Sequence, residues 1–190
     1  MGRATLYVYS VLITVVLNQC NNMNETGTVR FNLNCTNIEQ NLKNRIDTNG
    51  FIIQIFHIKD EPSAANRIMI TRNDLKIEIL PSKGFSIGKT SLKNKPILWD
   101  APIGLPDPAS LDFMSDEISV SGTPTPGFTF LKTFVGGIEF LGMTNWGMPR
   151  IDTLTGEFLP LHGEVSNIPL ENIEFEVSNK GLLAKGTIIY

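Results

Sequence analysis

Leu75-Lys76-Ile77-Glu78-Ile79, followed by Leu80-Pro81-Ser82-Lys83-Gly84 and Phe85-Ser86-Ile87-Gly88, is the stretch whose reading decides the fold. Leu75, Ile77 and Ile79 alternate with Lys76 and Glu78, the period of a strand with its apolar residues inward and its charges outward. Residues 81–84 supply a turn and 85–92 a further strand. Working outward, 67–71 reads as a short strand reversed at Asn73-Asp74. Lys93-Asn94-Lys95 makes another turn before 96–99. Residues 51–58 are almost continuously apolar and rich in β-branched side chains, which suits a strand buried on both faces. Turns this short require antiparallel pairing, because parallel strands need crossovers of a dozen or more residues. A second alternation sets Ile173, Phe175 and Val177 against Glu174, Glu176 and Ser178, and Thr187-Ile188-Ile189-Tyr190 is again strand-like. That last strand either pairs back onto an earlier one or leaves an exposed edge, which would make the chain the N-terminal part of a larger sheet protein.

One short helix is expected near the N-terminus. Thr36 and Glu39 have capping-box spacing, Ile38, Leu42 and Ile46 share a face, and Asn49-Gly50 ends the run. Residues 100–127 contain prolines at 102, 106, 108, 124 and 126 and read as a long surface excursion, most loop-like over 115–127. At the start, Arg3 precedes an uncharged 14-residue run, 4–17, which ends at Asn18-Gln19-Cys20. A spanning helix needs roughly 20 apolar residues, so this is the pattern of an export signal. It is either a lipoprotein signal with lipid on Cys20 or a plain signal peptide cut nearby. The expected organisation is a signal over 1–20, a tether over 21–36 and one β-domain over 37–190, with export from the cytoplasm.

The composition excludes several classes. With 190 residues, 42% hydrophobic and 18% charged, the chain can bury one real core. Sixteen basic against nineteen acidic residues give a net charge of -3 and no basic excess for nucleic acid. Two cysteines make no disulfide scaffold. No metal-ligand spacing, phosphate loop or nucleophile elbow is present, so no metal and no cofactor is expected. Of the two histidines, His57 sits in an apolar strand and reads as structural. His162, in Leu161-His162-Gly163-Glu164 after the long excursion, is the candidate acid, base or hydroxyl partner. Trp99 and Trp146 could stack on a pyranose, although each alone reads as a core residue.

Five ordered segments resemble an uncharacterised family of aldose 1-epimerase-like proteins in the galactose mutarotase superfamily. They are Leu80-Pro81-Ser82-Lys83-Gly84-Phe85-Ser86-Ile87-Gly88, Leu98-Trp99-Asp100-Ala101-Pro102-Ile103-Gly104, and Phe134-Val135-Gly136-Gly137-Ile138. Leu141-Gly142-Met143-Thr144-Asn145-Trp146-Gly147-Met148-Pro149 and Leu161-His162-Gly163-Glu164-Val165-Ser166-Asn167-Ile168-Pro169 complete the series. Three positions depart from the family pattern. Ser82-Lys83-Gly84 with Ser86 stands where Asp-Arg-Gly and a following acidic residue are usual. Phe140-Leu141-Gly142 replaces Thr-Cys-Gly, and Glu164 replaces an arginine. The resemblance implies an all-β, antiparallel supersandwich, present as its N-terminal part, that holds a monosaccharide in a sheet cleft.

It further implies His162 as the catalytic or hydrogen-bonding histidine, with Asn145, Trp146, Arg150, Glu164 and Asn167 as substrate-binding residues. In the superfamily the glutamate base and second histidine lie downstream, so epimerase (isomerase) activity would depend on them. Two alternatives belong to other classes. One is a catalytically silent sugar-binding or structural sandwich, and the other is an interaction module that uses residues 100–127 as its contact surface.

Overall fold

The computed structural model describes residues 13–16, 28–35, 45–56, 66–99, 101–102, 117–120, 123–128, 130–134, 137–142, 145–163 and 165–189. Strands β3 (Arg45–Thr48), β4 (Phe51–Phe56), β5 (Arg67–Arg72), β6 (Leu75–Leu80), β7 (Ser86–Leu92) and β8 (Lys95–Pro96) form a six-stranded antiparallel sheet in chain order. A second sheet has the order β1 (Ile13–Val16), β14 (Gly181–Thr187), β13 (Asn172–Val177) and β2 (Val29–Asn34). Two-residue turns join β3 to β4, β5 to β6 and β7 to β8 in the first sheet, whereas the second pairs β1 and β2 with β13 and β14.

Register explains the core. Ile53 lies opposite Ile70 and Ile70 opposite Ile77, while Ile55, Ile68, Ile79 and Ile87 line up in the next row. These rows face Leu33, Ile173, Phe175, Val177, Leu182 and Ala184 of the other sheet in one continuous cluster. The two faces are also tied at one end. Asn49 Nδ2 donates to the Val177 carbonyl at 3.1 Å and Arg72 Nη2 to the Asn179 carbonyl at 3.1 Å. The all-β antiparallel sandwich expected from the alternation is therefore the architecture of the chain, and the alternation at Ile173, Phe175 and Val177 points inward as read.

Several local expectations need correction. Ile46 belongs to β3, and Asn49-Gly50 is the hairpin turn into β4, both residues having positive φ. Asn-Gly suits a two-residue hairpin better than a helix end. The rest of the expected helix, 36–44, lies outside the described residues, as do Cys20, His57 and Glu164. Residues 29–34, expected in a tether, form β2 and pair along β13. In β4, Phe51, Ile53 and Ile55 are buried while Ile52 and Gln54 are only half-buried, so one face takes the core. Within 100–127, β9 (Glu117–Val120) and β10 (Thr123–Pro126) pair as a hairpin where the most irregular backbone was expected. Of the strand expected over 187–190, only Thr187 belongs to one: β14 spans Gly181–Thr187, flanked by β13 and β1, and Ile188 and Ile189 lie beyond it.

Glu78 faces away from the core yet is buried. The β6–β7 register shifts there, so Gly88 and Lys89 stand opposite Glu78 in a bulge. Its carboxylate accepts from the Lys89 backbone N–H at 2.9 Å and from Arg67 Nη1 at 3.2 Å. Alternation predicted the face correctly, but exposure depends on what else lies on that face.

Replacing the fully buried Ile79 by alanine should cost about 2–5 kcal/mol, whereas Leu154→Ala, at 94% exposure, should change stability by less than about 0.5 kcal/mol. Chemical denaturation measures both. Burial pushes the Cys35 thiol up from 9.0 to about 12, so the unfolded chain ionises it first. Stability should therefore fall as pH rises through 9 to 12, and less so in Cys35→Ser. In a Cys20→Ser background, a thiol reagent at pH 8 should label Cys35 only after denaturant is added.

Candidate functional site

His162 sits just beyond β12 (Phe158–Leu159), which pairs with β11 (Arg150–Ile151). Both His162 and Gly163 have left-handed backbone, φ 57° and 75°. For a side-chain-bearing residue this costs on the order of 1–3 kcal/mol and persists only where its surroundings impose it. Here they do. Gly142 N donates to the His162 carbonyl, His162 N donates to the Gly147 carbonyl at 3.2 Å, and Leu161 N donates to Gly127 at 2.8 Å. A Cβ at Gly163 would run into Gly142 Cα, so the two segments meet backbone to backbone.

Asn145 holds the facing loop. It is 4% exposed, and its Nδ2 lies 2.7 Å from the Pro160 carbonyl, 3.0 Å from Met148 and 3.2 Å from Gly147. Its Oδ1 accepts from Arg150 Nε at 3.3 Å and Gly147 N at 3.4 Å. This fixes the Trp146 carbonyl 3.0 Å from His162 Nδ1. A carbonyl can only accept, so the neutral imidazole carries its proton on Nδ1 and presents an Nε2 lone pair. The ring also meets Phe130 in an edge-on contact with centroids 4.9 Å apart at 80°. Phe130 leads to Phe134 at 5.6 Å and Phe134 to Trp99 at 5.9 Å. Contrary to the core reading of each tryptophan, Trp99 is 59% and Trp146 75% exposed.

Beneath this surface lies a charged network that sequence reasoning missed as a feature of the site. Lys83, fully buried, donates from Nζ to Glu139 Oε1 at 3.0 Å and Oε2 at 3.1 Å. Nζ also donates to the carbonyl of Thr133, the last residue of the one-turn helix α1 (Phe130–Thr133). Ser86 Oγ lies 2.8 Å from Glu139 Oε2 and 2.6 Å from the Lys83 carbonyl. Thr133 Oγ1 shares its single proton between the Phe130 carbonyl at 3.2 Å and Asn167 Oδ1 at 3.1 Å. Burial lowers the Lys83 ammonium below the ordinary lysine value, and Glu139 opposes that by favouring the charged form. For Glu139 the available signal was a charge between apolar neighbours, Ile138-Glu139-Phe140, whereas Lys83, between Ser82 and Gly84, carried none.

The turn carrying Lys83 is clasped to the 3₁₀ turn Val165–Asn167. Gly84 N donates to Ile168 at 3.0 Å and Leu170 N to Pro81 at 2.8 Å. A Cβ at Gly84 (φ 56°) would strike the Val165 carbonyl oxygen. The five sequence segments thus converge: the first holds the fifth, the fourth cradles His162, and the second and third meet it through Trp99, Phe134 and Phe130.

Of the expected site residues, His162, Asn145, Trp146 and Arg150 form one cluster. The Asn145 amide is engaged with loop carbonyls, and Arg150 and Trp146 face solvent. Asn167 is half-buried and turned toward Thr133. Among the described residues no carboxylate hydrogen-bonds to the His162 ring, and no group of three or more His, Cys, Asp or Glu could hold a metal ion. A depression of about 430 Å³ lies elsewhere, on the outer face of the second sheet, lined by Arg30, Asn32, Glu174, Glu176 and Lys185. It is charge-balanced and has no contact with the histidine cluster, so geometry and chemistry favour the latter as the site.

Residues 63–189 match a sequence family described as a domain of unknown function, DUF4432. The sequence has no significant match among proteins of curated function. The fold is similar to the crystal structure of a protein from Klebsiella pneumoniae subsp. pneumoniae MGH 78578, provisionally named an aldose 1-epimerase. That similarity has 21% identity and a TM-score of 0.57. It covers 95% of this chain and 43% of the Klebsiella chain, so the protein spans less than half that relative's length.

Removing one member of the buried pair should be strongly destabilising. Lys83→Met and Glu139→Leu should each cost about 3–5 kcal/mol. The double variant should recover most of this, because no uncompensated charge remains. A double-mutant cycle by denaturant unfolding measures the coupling.

Proposed function

Because the chain belongs to the DUF4432 family and has an aldose-epimerase-like β-sandwich fold, we propose that it binds a monosaccharide at the surface where His162, Trp146 and Arg150 meet. The observation that carries this reading is the His162 ring itself. It is held on a strained backbone with Nδ1 committed to the Trp146 carbonyl, which leaves Nε2, with no hydrogen-bond partner among the described residues, as the ring atom to offer a ligand. Nε2 accepts a hydroxyl proton when neutral and donates one when protonated, which suits the anomeric or ring oxygen of an aldose. Trp146 supplies an exposed ring for the apolar face of a pyranose. Arg150, anchored through Nε to Asn145, offers its remaining donors to hydroxyls.

Interconverting anomers requires a base at the anomeric hydroxyl and an acid at the ring oxygen, with pKa values held apart. His162 supplies one of these groups. Epimerase activity in the whole protein would place the carboxylate partner across the sugar from Nε2. We also propose export of the chain, on the strength of Arg3, the apolar run 4–17 and Cys20. Ile13–Val16 of that run pairs with β14, so cleavage before Cys20 would uncover that edge. The N-terminal mass of the protein recovered from membrane and secreted fractions tests export.

Titration with glucose, galactose and other aldoses, followed by tryptophan fluorescence, should reveal saturable binding. His162→Ala should weaken it at least about tenfold, or 1.4 kcal/mol, with the fold retained by circular dichroism. Unchanged affinity in that variant would defeat the assignment. Polarimetry with α-glucose and α-galactose separates the readings: faster mutarotation than in buffer means catalysis, and binding without it means a silent sugar-binding module.

A further inference from the structure

We propose that the buried Lys83–Glu139 pair is a positioning device that sets the orientation of the His162 ring through helix α1. The inference rests on the reading of His162 as the ligand-contacting group.

Among the described residues, the imidazole meets the Trp146 carbonyl and the Phe130 ring. The first is fixed by Asn145. The second depends on α1, four residues long, which is a single turn and cannot sustain itself because helix nucleation is unfavourable. Its final carbonyls lack partners within the helix and must be satisfied from outside. Lys83 Nζ provides that donor at the Thr133 carbonyl, and Asn167 engages the Thr133 side chain. Lys83 is immobile in turn: Glu139 neutralises it, and the 81–85 turn bearing it is clasped to residues 165–170.

An apolar pair would fill this space, since desolvating two charges offsets most of their attraction, but it would give up the hydrogen bond to the Thr133 carbonyl. Directionality is what the apolar pair would lack. An ammonium donating to one particular carbonyl fixes where the helix ends, and so where the Phe130 edge meets the imidazole.

The test is nitrogen and proton NMR of the His162 ring in the full chain, with its signals identified by their loss in His162→Gln. Wild type and Lys83→Arg, which keeps a cation and several donors, should both show the Nδ1-protonated tautomer and the same ring-current shift from Phe130. Lys83→Met/Glu139→Leu removes the directional contact together with both charges of the pair. It should remain folded while the His162 signals move toward those of an averaged, solvent-like ring, and monosaccharide affinity should fall about tenfold. Wild-type His162 signals in the folded double variant would overturn the proposal and reduce the pair to a structural tie. Should the signals move as expected while no variant, wild type included, binds a sugar, the positioning role stands and the sugar-binding reading fails.

Discussion

An ammonium group without solvent exposure, held between a carboxylate and a helix carbonyl, is the constraint on which the rest of this surface depends. Lys83 and Glu139 are 56 residues apart and lie on segments that make little regular structure of their own. Their contact joins the start of β7, the 137–142 segment and helix α1 at one point. Isolating either charge in the apolar interior is unfavourable by several kcal/mol, so the three segments are held in a single arrangement.

The sandwich and the polar network divide the work. The isoleucine rows of the six-stranded sheet and the Ile173, Phe175 and Val177 face of the second sheet supply the apolar burial that makes a stable body. That burial is nondirectional and tolerates small shifts. The histidine surface needs directional restraint, and hydrogen bonds supply it: Asn145 to the loop carbonyls, His162 backbone to Gly142 and Gly147, Lys83 to Thr133. The strained φ at His162 is a product of this restraint. It identifies the residue as one held in place by its surroundings, with no local preference for that conformation.

The departures from the family pattern take on physical meaning in this arrangement. Where an acidic residue is usual after the glycine of the first segment, this chain has Ser86, and the carboxylate comes instead from Glu139, which accepts from both Ser86 and Lys83. Lysine in place of arginine presents a compact ammonium, suited to a carbonyl and a carboxylate converging on one point.

Alternating residues and short turns determined, without tertiary information, that this is an antiparallel all-β chain, and the Leu161-His162-Gly163 context singled out the histidine. Both are local properties, since strand period and turn length are written in neighbouring residues. The N-terminal helix was expected to run through Ile46, which lies instead in β3, because a spacing of four residues is weak support for a helix beside an Asn-Gly pair that closes a hairpin. Glu78 was assigned to the correct face but to the wrong environment, and Trp99 and Trp146 to a core they do not enter. In each case exposure is decided by what distant chain covers, which no window of sequence contains. The Lys83–Glu139–Thr133 network and the Asn145 staple could come only from the tertiary structure. Their partners are fixed by the packing of segments that are far apart in sequence, and a hydrogen bond specifies its partner by direction as well as proximity.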